Sequence, residues 1–116
     1  MSPVEVVNTY FRAMAAGADA AEELFALFAE DAVYVEPFSG QSLTHEGKPA
    51  IEAYLRGSWE QSPPDLTLTV NRVDVDGERV RSEWTCESPA FETPVKGIDD
   101  CTVVDGKIQR LEVRFR

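Results

Sequence analysis

The sequence is poor in the residues that most redox, metal and nucleic-acid chemistries need. Its 116 residues hold two cysteines, Cys86 and Cys101, and one histidine, His45. Two thiols make neither a disulfide framework nor a zinc pattern, and they fit a chain kept reduced in the cytoplasm. A lone histidine, with no acids clustered at ligand spacing, leaves no set for a metal. Positive charge is scarce as well: 11 Lys and Arg stand against 21 Asp and Glu, for a formal net charge of −10. Such a field repels phosphate backbones and anionic lipid, so nucleic acid and membrane surfaces are excluded as partners. No apolar run approaches the ~18 residues that signal a membrane span. Met1 to Glu5 lacks the basic start of a signal peptide. There is no Gly-rich phosphate loop, no G-x-S-x-G elbow and no Cys–His pairing, and no cofactor is implied.

What the chain does have is enough apolar residue, 43%, for one core, and the length of one domain over residues 1–116. Ser2-Pro3-Val4-Glu5 reads as a capping box with proline at the first helical position. Val4, Val7, Tyr10, Phe11 and Met14 then follow at helical spacing toward Gly17. Asp19 to Glu22 repeats the capping logic before a second, shorter helix with Leu24, Leu27 and Phe28 on one face. Val33 to Phe38 reads as a strand, and Ser39 to Gly47 as a polar loop. Lys48-Pro49 opens a third helix carrying Ile51, Tyr54, Leu55 and Trp59, stopped by Ser62-Pro63-Pro64. The remainder alternates as strands: Leu66–Val75, Glu78–Glu87, Val95–Val104 and Ile108–Phe115. Asp76-Gly77 and Asp105-Gly106 supply hairpin turns. The order ααβαββββ predicts an α+β fold, with helices packed on a strongly curved, mostly antiparallel sheet around an interior pocket. The outer face of the meander is expected to carry Leu66, Leu68 and Val70 or their alternates, apolar area enough for a homodimer.

Three residues stand out chemically. Asp99 shares a strand face with Cys101 and Val103, which the two-residue period predicts to be the apolar one. A buried carboxyl without a cation stays protonated and can donate a hydrogen bond; the alternative is a structural acid that caps a turn or pairs with an arginine. Glu36, held extended by Pro37, shares its face with Tyr34 and Phe38. An aromatic surround suits it to general-base work, whereas exposure at the strand edge would leave it an ordinary surface acid. Tyr10 points from the first helix toward the sheet, where its hydroxyl needs a partner, a carboxyl or a backbone carbonyl. His45, alone in its loop, reads as solvated.

Taken together, Glu23 to Val33, Gly47 to Leu55 and Asp105-Gly106-Lys107-Ile108 resemble the nuclear transport factor 2-like superfamily, over about 110 residues. Within it the chain is similar to ketosteroid isomerases and SnoaL-like polyketide cyclases. The resemblance implies a cone-shaped fold with three N-terminal helices and a mixed sheet. It also implies an oxyanion-hole pair, Tyr10 in Val6-Val7-Asn8-Thr9-Tyr10 and Asp99 after Ile98, and a base, Glu36 before Pro37. The isomerases carry Asp at the base; the extra methylene here moves the carboxylate by about 1 Å. The implied activity is cofactor-free proton transfer α to a carbonyl in a small, apolar, neutral ligand. Phe38, Tyr54, Trp84, Cys101 and Val103 are the expected pocket lining. The other reading is a non-catalytic binder of such a ligand. Arg79, Arg81 and Arg110 are expected to face solvent, which leaves no arginine for an Asp–Arg–Asp water-activating set.

Overall fold

The capping box forms as the sequence predicts: Ser2 Oγ accepts from the Glu5 amide, and Glu5 Oε1 accepts from the Ser2 amide. It starts α1 (Pro3–Ala16), which ends at Gly17. The structure, a computed structural model, describes residues 1–63 and 65–116. Pro64, in the expected stop after the third helix, lies outside them.

The helical layer differs from three N-terminal helices. One 3-10 turn (Gly17–Ala20) joins α1 to a six-residue α2 (Ala21–Ala26), and Asp19 caps nothing; α2 begins without a side-chain cap. Residues 3–26 thus form one broken helical body. The second body, α3 (Lys48–Glu60), comes only after two strands. Phe25 stacks on Trp59 at 5.8 Å and ties the two bodies together.

Six strands form one mixed sheet: β1 (Phe28–Glu36), β2 (Leu43–Glu46), β3 (Thr67–Asp76), β4 (Arg79–Glu87), β5 (Val95–Val104) and β6 (Lys107–Phe115), in the order β2-β1-β6-β5-β4-β3. Only β1 and β6 are parallel among the paired strands. Strand β1 starts at Phe28, a residue of helical spacing, because Phe28 pairs with Ile108 and both are buried; tertiary pairing overrides local preference. It stops at Glu36, so Phe38 is not in the strand. The polar loop contains β2, whose Tyr34–His45 and Glu36–Leu43 pairs make it an edge strand. The second hairpin turns at Asp105-Gly106 with both φ positive, as predicted. The first turns one residue later than expected, because Asp76 pairs with Arg79.

The inner face of the sheet carries the core: Val80, Cys101, Val103, Ile108, Leu111 and Val113 under the helices. Leu68 and Val70 also pack against this core and do not face outward; a register shift at Asn71 puts Val73 on the same side. The outer face is charged instead, with Asp100 held by Arg81 at 3.1 Å and by Arg114, and Glu83 held by Arg116 at 2.8 Å. Arg79, Arg81 and Arg110 are exposed, as predicted. Cys101 is buried, whereas Cys86 is only half-buried. No helix among the described residues is long and apolar enough to cross a membrane.

Candidate functional site

Alternation along β5 aims Gly97, Asp99, Cys101 and Val103 inward and exposes the residues between them more. Asp99 is 4% exposed. Its one close donor is neutral: Trp84 Nε1–H donates to Oδ1 at 2.8 Å. Burial pushes the carboxyl up to about 7; the Trp84 bond pulls the other way, and the neighbouring Asp100 charge adds to the push. With Oδ1 accepting from the indole, Oδ2 is left to carry the proton and to donate. Trp84 can lie over β5 because Gly97 has no side chain; a Cβ there would collide with the indole ring.

Glu36 is the other buried acid, 1% exposed at the end of β1. Its Oε1 accepts from the Phe38 amide at 2.8 Å, and its Oε2 meets His45 Nε2 at 2.9 Å. The Tyr54 phenol of α3 lies beside this carboxyl. The Tyr54 ring stacks on His45 with centroids 4.4 Å apart. Burial, then the nearby Glu36 charge, raise the Tyr54 phenol above its ordinary value and keep it neutral.

Strand register relates the two acids. Asp99 pairs with Val113 on one side and Ser82 on the other. The parallel register on β1 runs Tyr34–Leu111 and Val35–Glu112, which brings Glu36 to the Val113 row. Two strand spacings, about 10 Å, therefore separate the two backbones, with Val113 between. Behind this row stand Tyr34 and Tyr10, their phenols close enough to influence each other. Burial holds both phenols well above the ordinary range, and the Asp99 charge adds to it. Tyr10 packs edge-on against Phe11 and Phe28, at 5.2 and 6.2 Å. Tyr34 lies near enough to both acids for their charges to raise its phenol further.

The structure thus gathers Tyr10, Glu36, Asp99, Tyr54 and Trp84 on one inner face. Cys101 lies beneath them, its thiol pushed up to about 12 by burial and then by Asp99. Two expected lining residues are elsewhere. Phe38 is 49% exposed, its ring 5.6 Å from Phe115 at the sheet's end. Val103 lies four residues from Asp99 along an extended strand, about 13 Å away, in the core row of Ile108 and Phe28. Three residues are additions. His45 was hidden in a polar segment whose four-residue strand has no apolar alternation. Tyr34 was legible as the residue two before Glu36. Ser82, fully buried beside Asp99, has a hydroxyl with no partner among the described residues; a buried hydroxyl in that state is a spare donor.

The interior is closed over these groups. The clefts of about 530 and 370 Å³ open on the helical surface, the larger near Phe25, Lys48 and Arg56, and neither is lined by the buried acids. No three His, Cys, Asp or Glu side chains converge as metal ligands among the described residues.

Comparison with known proteins agrees with this architecture. The family model of the SnoaL-like domain matches residues 7–111. A candidate ketosteroid isomerase from Kribbella flavida is 25% identical, with a TM-score of 0.75 over 97% of this chain and 76% of that one. A candidate polyketide cyclase from Sinorhizobium meliloti is 26% identical, with a TM-score of 0.78 over 95% of this chain and 94% of that one. A de novo designed protein with a curved β-sheet is 21% identical, with a TM-score of 0.77 over 98% of this chain and 84% of that one, and shows the fold alone. No curated protein matches the chain.

Proposed function

The chain belongs to the SnoaL-like domain family, and from that premise we propose that it moves a proton α to the carbonyl of a small, neutral, largely apolar ligand, through an enolate and without a cofactor. The observation that carries this reading is a pair of buried acids on one sheet row, one held by a backbone amide and an imidazole nitrogen, the other against an indole N–H. Paired acids in such unlike surroundings divide into base and acid roles.

In this reading the Glu36 centre takes the α-proton. The C–H electron pair moves into the enolate, whose oxygen receives hydrogen bonds from protonated Asp99 and from the Tyr10–Tyr34 pair. The proton then returns at a second carbon. One well-placed donor to such an oxygen is worth about 2.7–4 kcal/mol of barrier. Ligand entry displaces Trp84, which lies over Asp99. The single-domain reading over residues 1–116 belongs to the same proposal, as does a homodimer, though no longer on the ground of an apolar outer sheet face. The closed interior, with Asp99 already bonded by Trp84, favours as the second reading a binder that opens only for its ligand.

The test is enone formation from 5-androstene-3,17-dione, followed in the ultraviolet. Enzyme-dependent growth of the band, lost in Glu36→Gln and lowered about 100- to 1,000-fold in Asp99→Leu, which removes the donor, is the expected result. A melt of each variant separates lost chemistry from lost folding. Ligand-induced stabilisation without turnover moves the weight to the binder.

A further inference from the structure

The Glu36 carboxyl is crowded. A backbone amide holds Oε1, an imidazole nitrogen holds Oε2, and the Tyr54 phenol lies beside it. It is 1% exposed, whereas the imidazole that it holds is 20% exposed. With the Glu36 carboxylate as acceptor, His45 Nε2 is the donor of their 2.9 Å bond. In the neutral ring the lone pair is then on Nδ1. The ring is fixed from three sides: Glu36 at its edge, Tyr54 of α3 stacked at 4.4 Å, and Tyr34 of β1 at 6.3 Å. Burial keeps the phenols of Tyr34 and Tyr54 protonated, so neither adds a charge beside the ring.

We infer that the proton-accepting atom of this site is Nδ1 of His45, with Glu36 as the buried carboxylate that orients the ring and stabilises its cation. This rests on the proposed enolate chemistry and moves the accepting atom within the Glu36 centre. The step balances. The substrate C–H bond breaks and its electron pair enters the enolate. The proton joins the Nδ1 lone pair, and the imidazolium–carboxylate pair that results has no net charge. The same N–H later delivers the proton to the second carbon. A buried acid behind a histidine is a known way to fix the tautomer and hold the cation that forms. It also accounts for a glutamate that spends its oxygens on protein donors.

The sequence has one histidine, so its imidazole nitrogens are unambiguous in long-range proton–nitrogen spectra of uniformly labelled protein. The expected result is a neutral ring protonated at Nε2, and in Glu36→Gln a ring that takes its second proton about tenfold less readily. A ring protonated at Nδ1, or a titration that Glu36→Gln leaves unchanged, overturns the inference whether or not any substrate turns over. His45→Gln supplies the second arm, because its amide can keep the bond to Glu36 but has no basic nitrogen. Loss of enone formation by about 100-fold or more in His45→Gln supports Nδ1 as the acceptor. If His45→Gln stays active while Glu36→Gln is dead, Glu36 itself is the base: the proposed function stands and this inference falls. If both stay active, both fall.

Discussion

Asp99 and Asp100 are the same residue type, one peptide bond apart on β5, and the strand sends them to opposite faces. Asp100 meets two guanidinium groups, Arg81 and Arg114, on a wet and charged surface. Asp99 meets one neutral indole N–H in a nearly dry interior, and burial lifts it to about 7. The difference in chemistry comes from the pleat alone. A carboxylate with cationic partners is a structural tie; a carboxyl denied them keeps its proton, and can donate it in a hydrogen bond, up to about pH 7.

The contrast can be tested where it is largest, in the pH dependence of stability. Asp99 binds its proton more tightly folded, near 7, than unfolded, near 3.8. Between those values the native state holds more protons, so stability falls as pH rises. The contribution is fully present below about pH 4 and gone above about pH 7, at most about 4 kcal/mol in all. Asp99→Asn has no such proton to lose. Denaturant melts are expected to show the variant matching the parent near pH 4 and exceeding it above pH 7; parallel curves at every pH would break the comparison.

A smaller effect follows from what shields Asp99. Gly97→Ala pushes a methyl into the Trp84 indole and is expected to cost about 1–3 kcal/mol. The indole then leaves Asp99, which a shift in tryptophan emission would report. An unchanged melt and spectrum would mean that Trp84 is not pinned against β5.

Smallest of all is Asp100→Asn. Exposed ion pairs contribute little and are screened by salt, so Tm is expected to move by no more than about 3 °C. Enone formation should stay within twofold of the parent. A large loss of activity would place Asp100 in the site and erase the distinction between the faces.

The sequence made the inner face legible wherever one residue type or one period decided it. Asp99 beside Cys101, Glu36 before Pro37 and the capping box at Ser2 are of this kind. It was silent where tertiary pairing decides. Alternation in β3 marks Leu68 and Val70 as one face without saying which, and the shift at Asn71 breaks the period. Phe28 has helical spacing yet pairs with Ile108. His45 comes to Glu36 only because a four-residue edge strand folds back on β1, and Trp84 reaches Asp99 only because Gly97 leaves room.

The central claim is that Asp99 is a neutral donor beside an occupied base centre, and carbon-13 titration of the aspartate carboxyls tests it most directly. The Asp99 signal is identified as the one missing from the Asp99→Asn spectrum. The account predicts that this signal has its titration midpoint near pH 7. A signal fully shifted by about pH 5 would make Asp99 an ordinary carboxylate and contradict the proposed site.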